Sequence, residues 1–250
     1  MSDEVFNPQL VLIAGPSGTG KSASLRNLKA PKGKQWWVCN TEAGKRLPFR
    51  PGPQFEVYNI TDPMEVHGAF DTAKDDSECT GVILDTITFM MDMYETQYVI
   101  NSANTMKAWG DFAQFFKILM QEKVAKLGKP AIFLAHVLDV LDEKSAEMKT
   151  SVPIKGALKN NGVEAYFSTV VYTKKMRLKD LEKYKNKMLT ISPEEEALGF
   201  KYVFQTRVTK GTTGERIRSP MDMFTVEETF IDNDANVLLN HLNAYYGVTP

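Results

Sequence analysis

A glycine-rich stretch near the start of the chain has the residue types and spacing of a phosphate-binding loop. Its eight residues fit the P-loop pattern G-x-x-x-x-G-K-[ST] and run Gly15, Pro16, Ser17, Gly18, Thr19, Gly20, Lys21 and Ser22. Glycines allow backbone N–H groups to turn inward around phosphate oxygens, at the positive end of the helix that follows. We expect Lys21 to reach the β- and γ-phosphates of a nucleotide and the Ser22 hydroxyl to ligate Mg²⁺. The stretch therefore predicts that the chain binds ATP with Mg²⁺.

Two later apolar runs end in polar residues that could complete this chemistry. Residues 81–84 are followed by Asp85, which is the pattern of a Walker B strand. Its carboxylate is expected to hold Mg²⁺ beside Ser22. His136 follows a second apolar run, at 131–135, where a polar side chain can sense the γ-phosphate. The same position also suits a histidine that only caps its strand.

Glu42 is the predicted general base. The residue after Asp85 is Thr86, whereas ring ATPases of the AAA+ type usually carry the water-polarising glutamate directly after the Walker B aspartate. RecA-type ATPases carry it at the end of the strand that follows the P-loop helix. That strand here runs into Asn40-Thr41-Glu42, so Glu42 is the candidate. The alternative is a solvated carboxylate in a turn.

Apolar runs of strand length alternate with stretches of helical spacing, and these elements must position the candidate residues. Strands are predicted at 10–14, 36–39, 55–60, 81–85, 131–135, 169–172 and 202–204. Helices are predicted at 21–28, 64–73, 111–127 and 235–246. The alternation predicts an α/β fold with a mostly parallel sheet, helices on both faces and antiparallel hairpins toward the C-terminus. Two stretches, 137–165 and 174–200, are expected to be long functional or mobile loops.

The composition places the chain among globular proteins. Of its 250 residues, 43% are hydrophobic and 24% are charged, which excludes an overall disordered, collagen-like or coiled-coil chain. We expect one domain over 1–250, with a C-terminal helix within 232–250. The first residues lack the pattern of a signal peptide, and no apolar run approaches the roughly 20 residues of a membrane span. These features predict a cytoplasmic protein without a membrane partner.

The P-loop and three later segments together resemble the phage-encoded nucleotide-binding AAA-type ATPases, which are short RecA/RadA-like cores of phage recombination modules. The segments are Trp-Trp-Val-Cys-Asn-Thr-Glu-Ala-Gly at 36–44, Val-Ile-Leu-Asp-Thr at 82–86 and Ile-Phe-Leu-Ala-His at 132–136. The resemblance implies ATP binding and hydrolysis by a RecA-like P-loop core, in the host cytoplasm if the chain is phage-encoded. It also implies a homo-oligomeric ring or filament and a role in DNA recombination or single-strand annealing.

The same resemblance implies a basic residue that reaches the ATP of a neighbouring subunit. This residue should follow the strand that begins near Tyr202, and Lys210 fits best, with Arg207, Arg216 and Arg218 as rivals. A cation supplied in trans stabilises charge that develops on the transferred phosphoryl group, and it is worth about 10³–10⁵ in rate. The alternative is that these basic residues lie on a solvated hairpin.

Contact with DNA must be local, because the net charge of −1 leaves no basic field over the whole chain. In a RecA-like core the segment after the sensor strand faces DNA, which here is 137–163. It contains four candidate DNA-binding lysines, Lys144, Lys149, Lys155 and Lys159. Lysines that follow a phosphate backbone suit single-stranded DNA with little sequence preference. A second candidate is 174–187, with seven basic residues, and a solvated surface is the alternative for both.

Two other functions compete with an ATP-driven recombination protein. A P-loop kinase of a nucleotide or small molecule would usually have an arginine-rich lid, but 137–163 contains no arginine. A nucleotide-dependent adaptor could instead load a replication protein without turnover. A single-strand binding protein is a further candidate partner for the leading function.

Overall fold

An eight-stranded sheet forms the centre of the fold. The computed structural model describes residue 7 and residues 9–143, 146–160 and 162–248. The strands within these ranges are β1 Leu10–Gly15, β2 Gln35–Asn40, β3 Phe55–Asn59, β4 Cys79–Asp85, β5 Ala131–His136, β6 Leu138–Asp142, β7 Glu147–Ser151, β8 Thr169–Arg177, β9 Phe200–Gln205 and β10 Phe230–Asp232. All of them except β6 and β7 belong to the central sheet.

The strand order of this sheet is β10-β9-β8-β1-β5-β4-β2-β3. Every neighbouring pair from β8 to β3 is parallel, whereas β9 runs antiparallel to β8 and β10 antiparallel to β9. The strands β1, β4 and β5 are buried along nearly their whole length, as expected for parallel strands covered on both faces. The predicted mostly parallel α/β sheet with antiparallel strands toward the C-terminus is therefore confirmed, and it has the organisation of a P-loop RecA-like fold.

Helices cover both faces of the sheet. They are α1 Met64–Asp75, α2 Ile87–Tyr94, α3 Thr105–Ile118, α4 Leu178–Leu181, α5 Pro193–Leu198 and α6 Ala235–Tyr246. Short π-helical segments continue α2 over Glu95–Val99 and α3 over Leu119–Val124. Short 3₁₀ segments lie at Ser22–Asn27, Gly156–Asn160, Val163–Tyr166, Glu182–Tyr184 and Glu227–Thr229. The segment Ser22–Asn27 directly follows the P-loop, where the sequence predicted a short helix.

Two apolar clusters hold these helices on the sheet. On one face, Phe70 of α1 and Phe116 of α3 pack with Phe133 of β5 in one buried cluster. On the other face, Leu25 after the P-loop and Leu238 of α6 pack with Ile83 of β4. Burying large apolar side chains of this kind stabilises a fold by roughly 1.5–3 kcal/mol each, so both layers are firmly attached to the strands that carry the candidate residues.

The two stretches that were predicted to be long loops contain regular structure. The strands β6 (Leu138–Asp142) and β7 (Glu147–Ser151) pair as an antiparallel hairpin, and 3₁₀ turns follow. The stretch 174–200 begins as a continuation of β8, which pairs with β9 as far as Arg177 and Phe200. Its residues alternate between half-buried and exposed, because only one face of this end of the strand is covered. The helix α5 then starts with a capping box of Ser192 and Glu195, a sequence signal that the initial prediction overlooked.

The N-cap of α6 gives a test of this architecture. Asp234 Oδ1 accepts hydrogen bonds from the backbone N–H groups of Asn236 (2.8 Å) and Val237 (3.3 Å). Asp234 Oδ2 accepts one from Asn27 (2.6 Å). We expect Asp234→Ala to lower the free energy of unfolding by about 1–2 kcal/mol in urea titrations, because both the cap and the tie to Asn27 are lost. Asp234→Asn, which keeps a capping oxygen, should lose much less. Equal stability of the two variants would contradict this role.

Candidate nucleotide-binding site

The candidate residues meet at one edge of the sheet. The P-loop follows β1, Glu42 lies two residues beyond β2, and Asp85 and His136 are the last residues of β4 and β5. Because these strands are parallel, their carboxyl ends lie at the same edge. A cavity of about 810 Å³ opens there, within the size range of small-molecule sites. P-loop residues line it together with Glu42, Asp85 and His136.

Close packing of the P-loop requires glycine at two positions. A Cβ on Gly15 would lie 2.1 Å from Thr173 Oγ1 and 3.0 Å from the Thr173 carbonyl oxygen, so β8 leaves no room for a side chain. Gly20 has φ +92°, and a Cβ there would lie 2.3 Å from Asn233 Nδ2. The loop is also held by Thr19 Oγ1, which donates to the Pro16 carbonyl (2.7 Å). These contacts fix the backbone as a cradle between β8 and the end of β10.

Lys21 turns back onto its own loop. Its side chain is buried, and its Nζ donates to the carbonyl oxygens of Gly15 (2.9 Å) and Pro16 (2.8 Å). Burial lowers the pKa of Lys21 to about 8, although the nearby carboxylates of Asp85 and Glu42 oppose this shift. The ammonium group therefore lies within a few ångströms of the phosphate cradle, in a place where neighbouring anionic groups favour its charged form.

Asp85 and Ser22 provide hard oxygen ligands in the same cavity. Burial raises the pKa of Asp85 to about 6, and the neighbouring Ser22 hydroxyl lowers this pKa. Asp85 Oδ1 is buried and has no hydrogen-bond partner among the described residues. A buried carboxylate oxygen without a partner is costly unless a donor or cation completes it. Mg²⁺ prefers oxygen ligands of this kind, so the two side chains fit the ion that the sequence predicted.

Glu42 and His136 lie next to each other on one side of the cavity. Lys21 Nζ lies 3.3 Å from His136 Nδ1, which places the imidazole proton on Nε2, 3.6 Å from Glu42 Oε1. Burial lowers the pKa of His136, and the Lys21 charge lowers it further. The other carboxylate oxygen of Glu42 pairs with Lys45 Nζ at 2.7 Å. The Glu42 side chain is only 10% exposed, unlike a solvated turn carboxylate.

Thr41 positions the two acidic residues relative to each other, and the sequence reasoning missed it. Its Oγ1 donates to the Thr86 carbonyl (2.7 Å) and accepts from the Thr86 N–H (2.9 Å). Thr41 precedes Glu42 and Thr86 follows Asp85, so these two bonds join the ends of β2 and β4 directly beside both carboxylates. The Asp85–Thr86 peptide bond is cis. No sequence motif marks Thr41, because its contact with Thr86 depends on the register between β2 and β4.

The wall of the cavity opposite Glu42 was also missed by the sequence reasoning. It is formed by polar residues from α5 and from the ends of β9 and β10. Lys201 is its centre: the side chain is 8% exposed, and Nζ pairs with Glu195 (2.7 Å) and Asp232 (3.2 Å). Part of this wall lies in the stretch 174–200, which had no assigned structure, and the pair between Lys201 and Asp232 joins residues that are far apart in sequence.

The structure brings none of the candidate trans-acting cations into the cavity. Lys210 is exposed in the turn after β9, away from the cavity lining. Arg207 donates to the Phe224 carbonyl, and Arg216 Nη1 pairs with Glu164 at 3.3 Å. Arg218 pairs with Val170 of β8 in an isolated antiparallel β-bridge. None of these residues lines the cavity of its own chain.

The candidate DNA-binding lysines are spread along and beyond the β6–β7 hairpin. Lys149 pairs with Asp142 across the hairpin, and Lys155 pairs with Glu95 at 2.6 Å. Lys159 is exposed on the turn Gly156–Asn160. Lys144 lies outside the described residues. Exposed ion pairs of this kind are weak and screened by salt, so Lys149 and Lys155 can exchange a carboxylate for a phosphate at small cost.

Comparison with known proteins identifies a family to which the chain is similar. A family model described as an AAA domain matches residues 7–199, which include the P-loop, Glu42, Asp85 and His136. A comparison with curated proteins finds no match. Across the described ranges, none of the helices has both the length and the apolar character needed to cross a membrane.

The position of Lys21 leads to a binding test. We expect Lys21→Ala to weaken binding of Mg²⁺ and a slowly hydrolysed ATP analogue by at least about 100-fold, because it removes the buried cation beside the phosphate cradle. Isothermal titration calorimetry measures this change, with circular dichroism to verify folding. Lys29→Ala is the matched control, since Lys29 is exposed just after the same 3₁₀ segment and does not line the cavity. Equal affinity of the two variants would rule out the P-loop as the phosphate site.

Proposed function

The chain belongs to the AAA-domain family of nucleotide-binding ATPases, and from this premise we propose that it hydrolyses ATP with Mg²⁺ at the cavity described above. The observation that carries the proposal is the convergence of Lys21, Glu42, Asp85 and His136 around one phosphate cradle at the carboxyl edge of the sheet. Such a set supplies a cation for phosphate, ligands for a metal ion and a carboxylate for water.

Each residue then has one task in the reaction. The backbone N–H groups of Gly18 to Ser22 hold the phosphates, and Lys21 exchanges the carbonyls of its own loop for the β- and γ-phosphate oxygens. Ser22 and Asp85 would hold Mg²⁺, which would supply positive charge beside the phosphates. His136, held by Lys21 and Phe89, lies where it can contact the γ-phosphate.

Glu42 serves as the general base in this mechanism. Its carboxylate lies at the cavity beside Asp85 and His136, and the short link through Thr41 and Thr86 keeps it close to the metal ligand. A water molecule between Glu42 and the γ-phosphate would lose its proton to the carboxylate as it attacks phosphorus, while the bond from phosphorus to the β,γ-bridging oxygen breaks and ADP leaves. The ion pair with Lys45 and the close approach of His136 Nε2 hold the carboxylate in one orientation.

Replacing the base tests the mechanism. We expect Glu42→Gln to leave the affinity for nucleotide nearly unchanged and to lower kcat by about 10² or more, because the amide cannot accept the proton. Steady-state phosphate release and calorimetric binding measure the two effects separately. Glu65→Gln, an exposed carboxylate on α1, should leave both unchanged. Normal turnover by Glu42→Gln would place the base elsewhere.

The proposal extends to self-association into a ring or filament. Lys210 is exposed and lies off the cavity of its own chain, so it could act on ATP only at the site of a neighbouring copy. A residue that acts across such an interface makes a heterologous contact, and repeated heterologous contacts build rings or filaments. Lys210 is the cation that we propose for this trans contact.

Nucleotide-dependent assembly is therefore expected. Light scattering with Mg²⁺ and a slowly hydrolysed ATP analogue should give a mass well above the 28.1 kDa of one chain. Lys21→Ala should remain at its nucleotide-free mass under the same conditions, because it cannot bind the analogue. A wild-type protein that binds the analogue and stays monomeric at tens of micromolar would exclude completion of the site in trans.

We further propose that ATP turnover serves DNA recombination or single-strand annealing, as the resemblance to phage recombination ATPases implies. The supporting feature is the hairpin β6–β7, which starts two residues after His136 and precedes Lys155 and Lys159. DNA that contacts this hairpin would therefore shift His136, the residue that we propose for contact with the γ-phosphate. ATP turnover with and without single-stranded DNA distinguishes the functions: stimulation supports the proposal, transfer to a small acceptor supports a kinase, and binding without turnover supports an adaptor.

A further inference from the structure

The nucleotide cavity extends well beyond the phosphate cradle, toward a wall that the mechanism above does not use. In the sheet, Glu42, Asp85 and His136 lie on β2, β4 and β5 or just after them, to one side of β1. Tyr202, Asp232 and Asn233 lie on β9 and β10 or just after them, on the other side of β1. All six line the same cavity. A nucleotide whose γ-phosphate meets the first group must therefore direct its base toward the second.

The second wall is rigid before any ligand arrives. Lys201 joins Glu195 and Asp232 through its buried ammonium group. Asp232 also accepts hydrogen bonds from the backbone N–H (3.0 Å) and the hydroxyl (2.7 Å) of Thr190. Ser192 and Glu195 close the capping box of α5. Residues 190–195, which we name the strap, are thus fixed against β9 and β10. Rigid walls reduce the ordering cost of ligand binding.

Asn233 fixes the distance between this wall and the P-loop. Its Nδ2 donates to the Gly20 carbonyl at 3.0 Å, which also determines the orientation of its amide. Its Oδ1 is buried and has no hydrogen-bond partner in the part of the chain that the structure describes. The residue is 6% exposed and lines the cavity, so its amide oxygen is an acceptor that a ligand donor can complete.

Tyr202 is the aromatic side chain on this wall. It is 37% exposed on a strand whose next three residues are buried, and its Cβ lies 3.9 Å from the place that a Cβ on Gly20 would occupy. The edge of Phe200 meets its ring, with centroids 5.7 Å apart and planes at 88°. The Tyr202 ring therefore lies at the cavity next to the P-loop, and it is exposed rather than packed in the apolar core.

We propose that Tyr202, with the strap and Asn233, forms the nucleobase subsite of the nucleotide cavity, and that the base stacks on the Tyr202 ring. This inference rests on the proposed ATP site, because it uses the phosphate cradle to orient the ligand. Stacking on an aromatic ring accepts any base, whereas Oδ1 of Asn233, which has no hydrogen-bond partner among the described residues, favours a base edge that carries an amino group.

The test separates binding of the base from binding of the phosphates. Isothermal titration calorimetry is carried out in Mg²⁺ with a slowly hydrolysed ATP analogue and, separately, with inorganic tripolyphosphate. Tyr202→Ala should weaken binding of the ATP analogue by about tenfold or more, as expected when an aromatic ring that stacks on a base is replaced by alanine. The affinity of this variant for tripolyphosphate should equal that of the wild type. Tyr202→Phe, which keeps the ring, should bind both ligands like the wild type.

Tyr98→Ala is the matched control. Tyr98 is also 37% exposed, its hydroxyl bonds to Asp62, and it lies away from the cavity. Unchanged affinity of Tyr202→Ala for the ATP analogue would overturn the subsite. An equal loss for the analogue and for tripolyphosphate would also overturn it, because Tyr202 would then support only the P-loop. If the wild type bound neither ligand, the proposed ATP site itself would fail, and the two failures are therefore distinguishable.

Discussion

In the centre of the sheet β1 pairs with β5, β5 with β4 and β4 with β2, and all three pairings are parallel. Their register places Gly15 opposite His136 and Asn40 opposite Asp85. The register of these paired strands cannot change without moving buried side chains out of the core. The ends of the strands are therefore fixed relative to one another. The phosphate cradle, the metal ligands and the candidate base depend on this register, since each lies at or just beyond a strand end.

Charge balance then determines how the site can change when a ligand arrives. In the absence of nucleotide, the Lys21 ammonium group is held by two loop carbonyls and lies near the carboxylates of Asp85 and Glu42. Hydrogen bonds to charged phosphate oxygens are stronger than those to neutral carbonyls, so phosphate can displace the loop oxygens. The buried Oδ1 of Asp85 has no hydrogen-bond partner among the described residues, and a bound cation would supply one. These groups already lie around the cavity, as the proposed electrostatic catalysis requires.

The sequence predicted the elements whose signals are local. It did not predict the elements that form through pairing between distant segments of the chain. The helix α6 matches its predicted bounds, because Asp234, the apolar spacing and Gly247 all act locally. The continuation of β8 through charged residues to Arg177 was not predictable in this way, because it depends on pairing with β9. The hairpin β6–β7 was missed because its apolar residues, such as Leu138 and Val140, are exposed rather than buried.

The same distinction between local signals and long-range contacts applies to the candidate site. Lys21, Glu42, Asp85 and His136 could be named from motifs and strand ends, and the structure places all four around one cavity. Thr41 could not be assigned its role without the register between β2 and β4. The wall around Lys201 depends on contacts between α5, β9 and β10, which are separated by up to about forty residues and carry no motif except the capping box.

A crystal structure of the protein with Mg²⁺ and a slowly hydrolysed ATP analogue tests the central claim most directly. The account predicts that the triphosphate lies in the P-loop and that Lys21 Nζ has left the Gly15 and Pro16 carbonyls for the phosphates. It also predicts Mg²⁺ beside Ser22 and Asp85, and Glu42 facing the γ-phosphate. A bound triphosphate outside this cavity, or a Lys21 that stays on its loop carbonyls while nucleotide is bound, would contradict it.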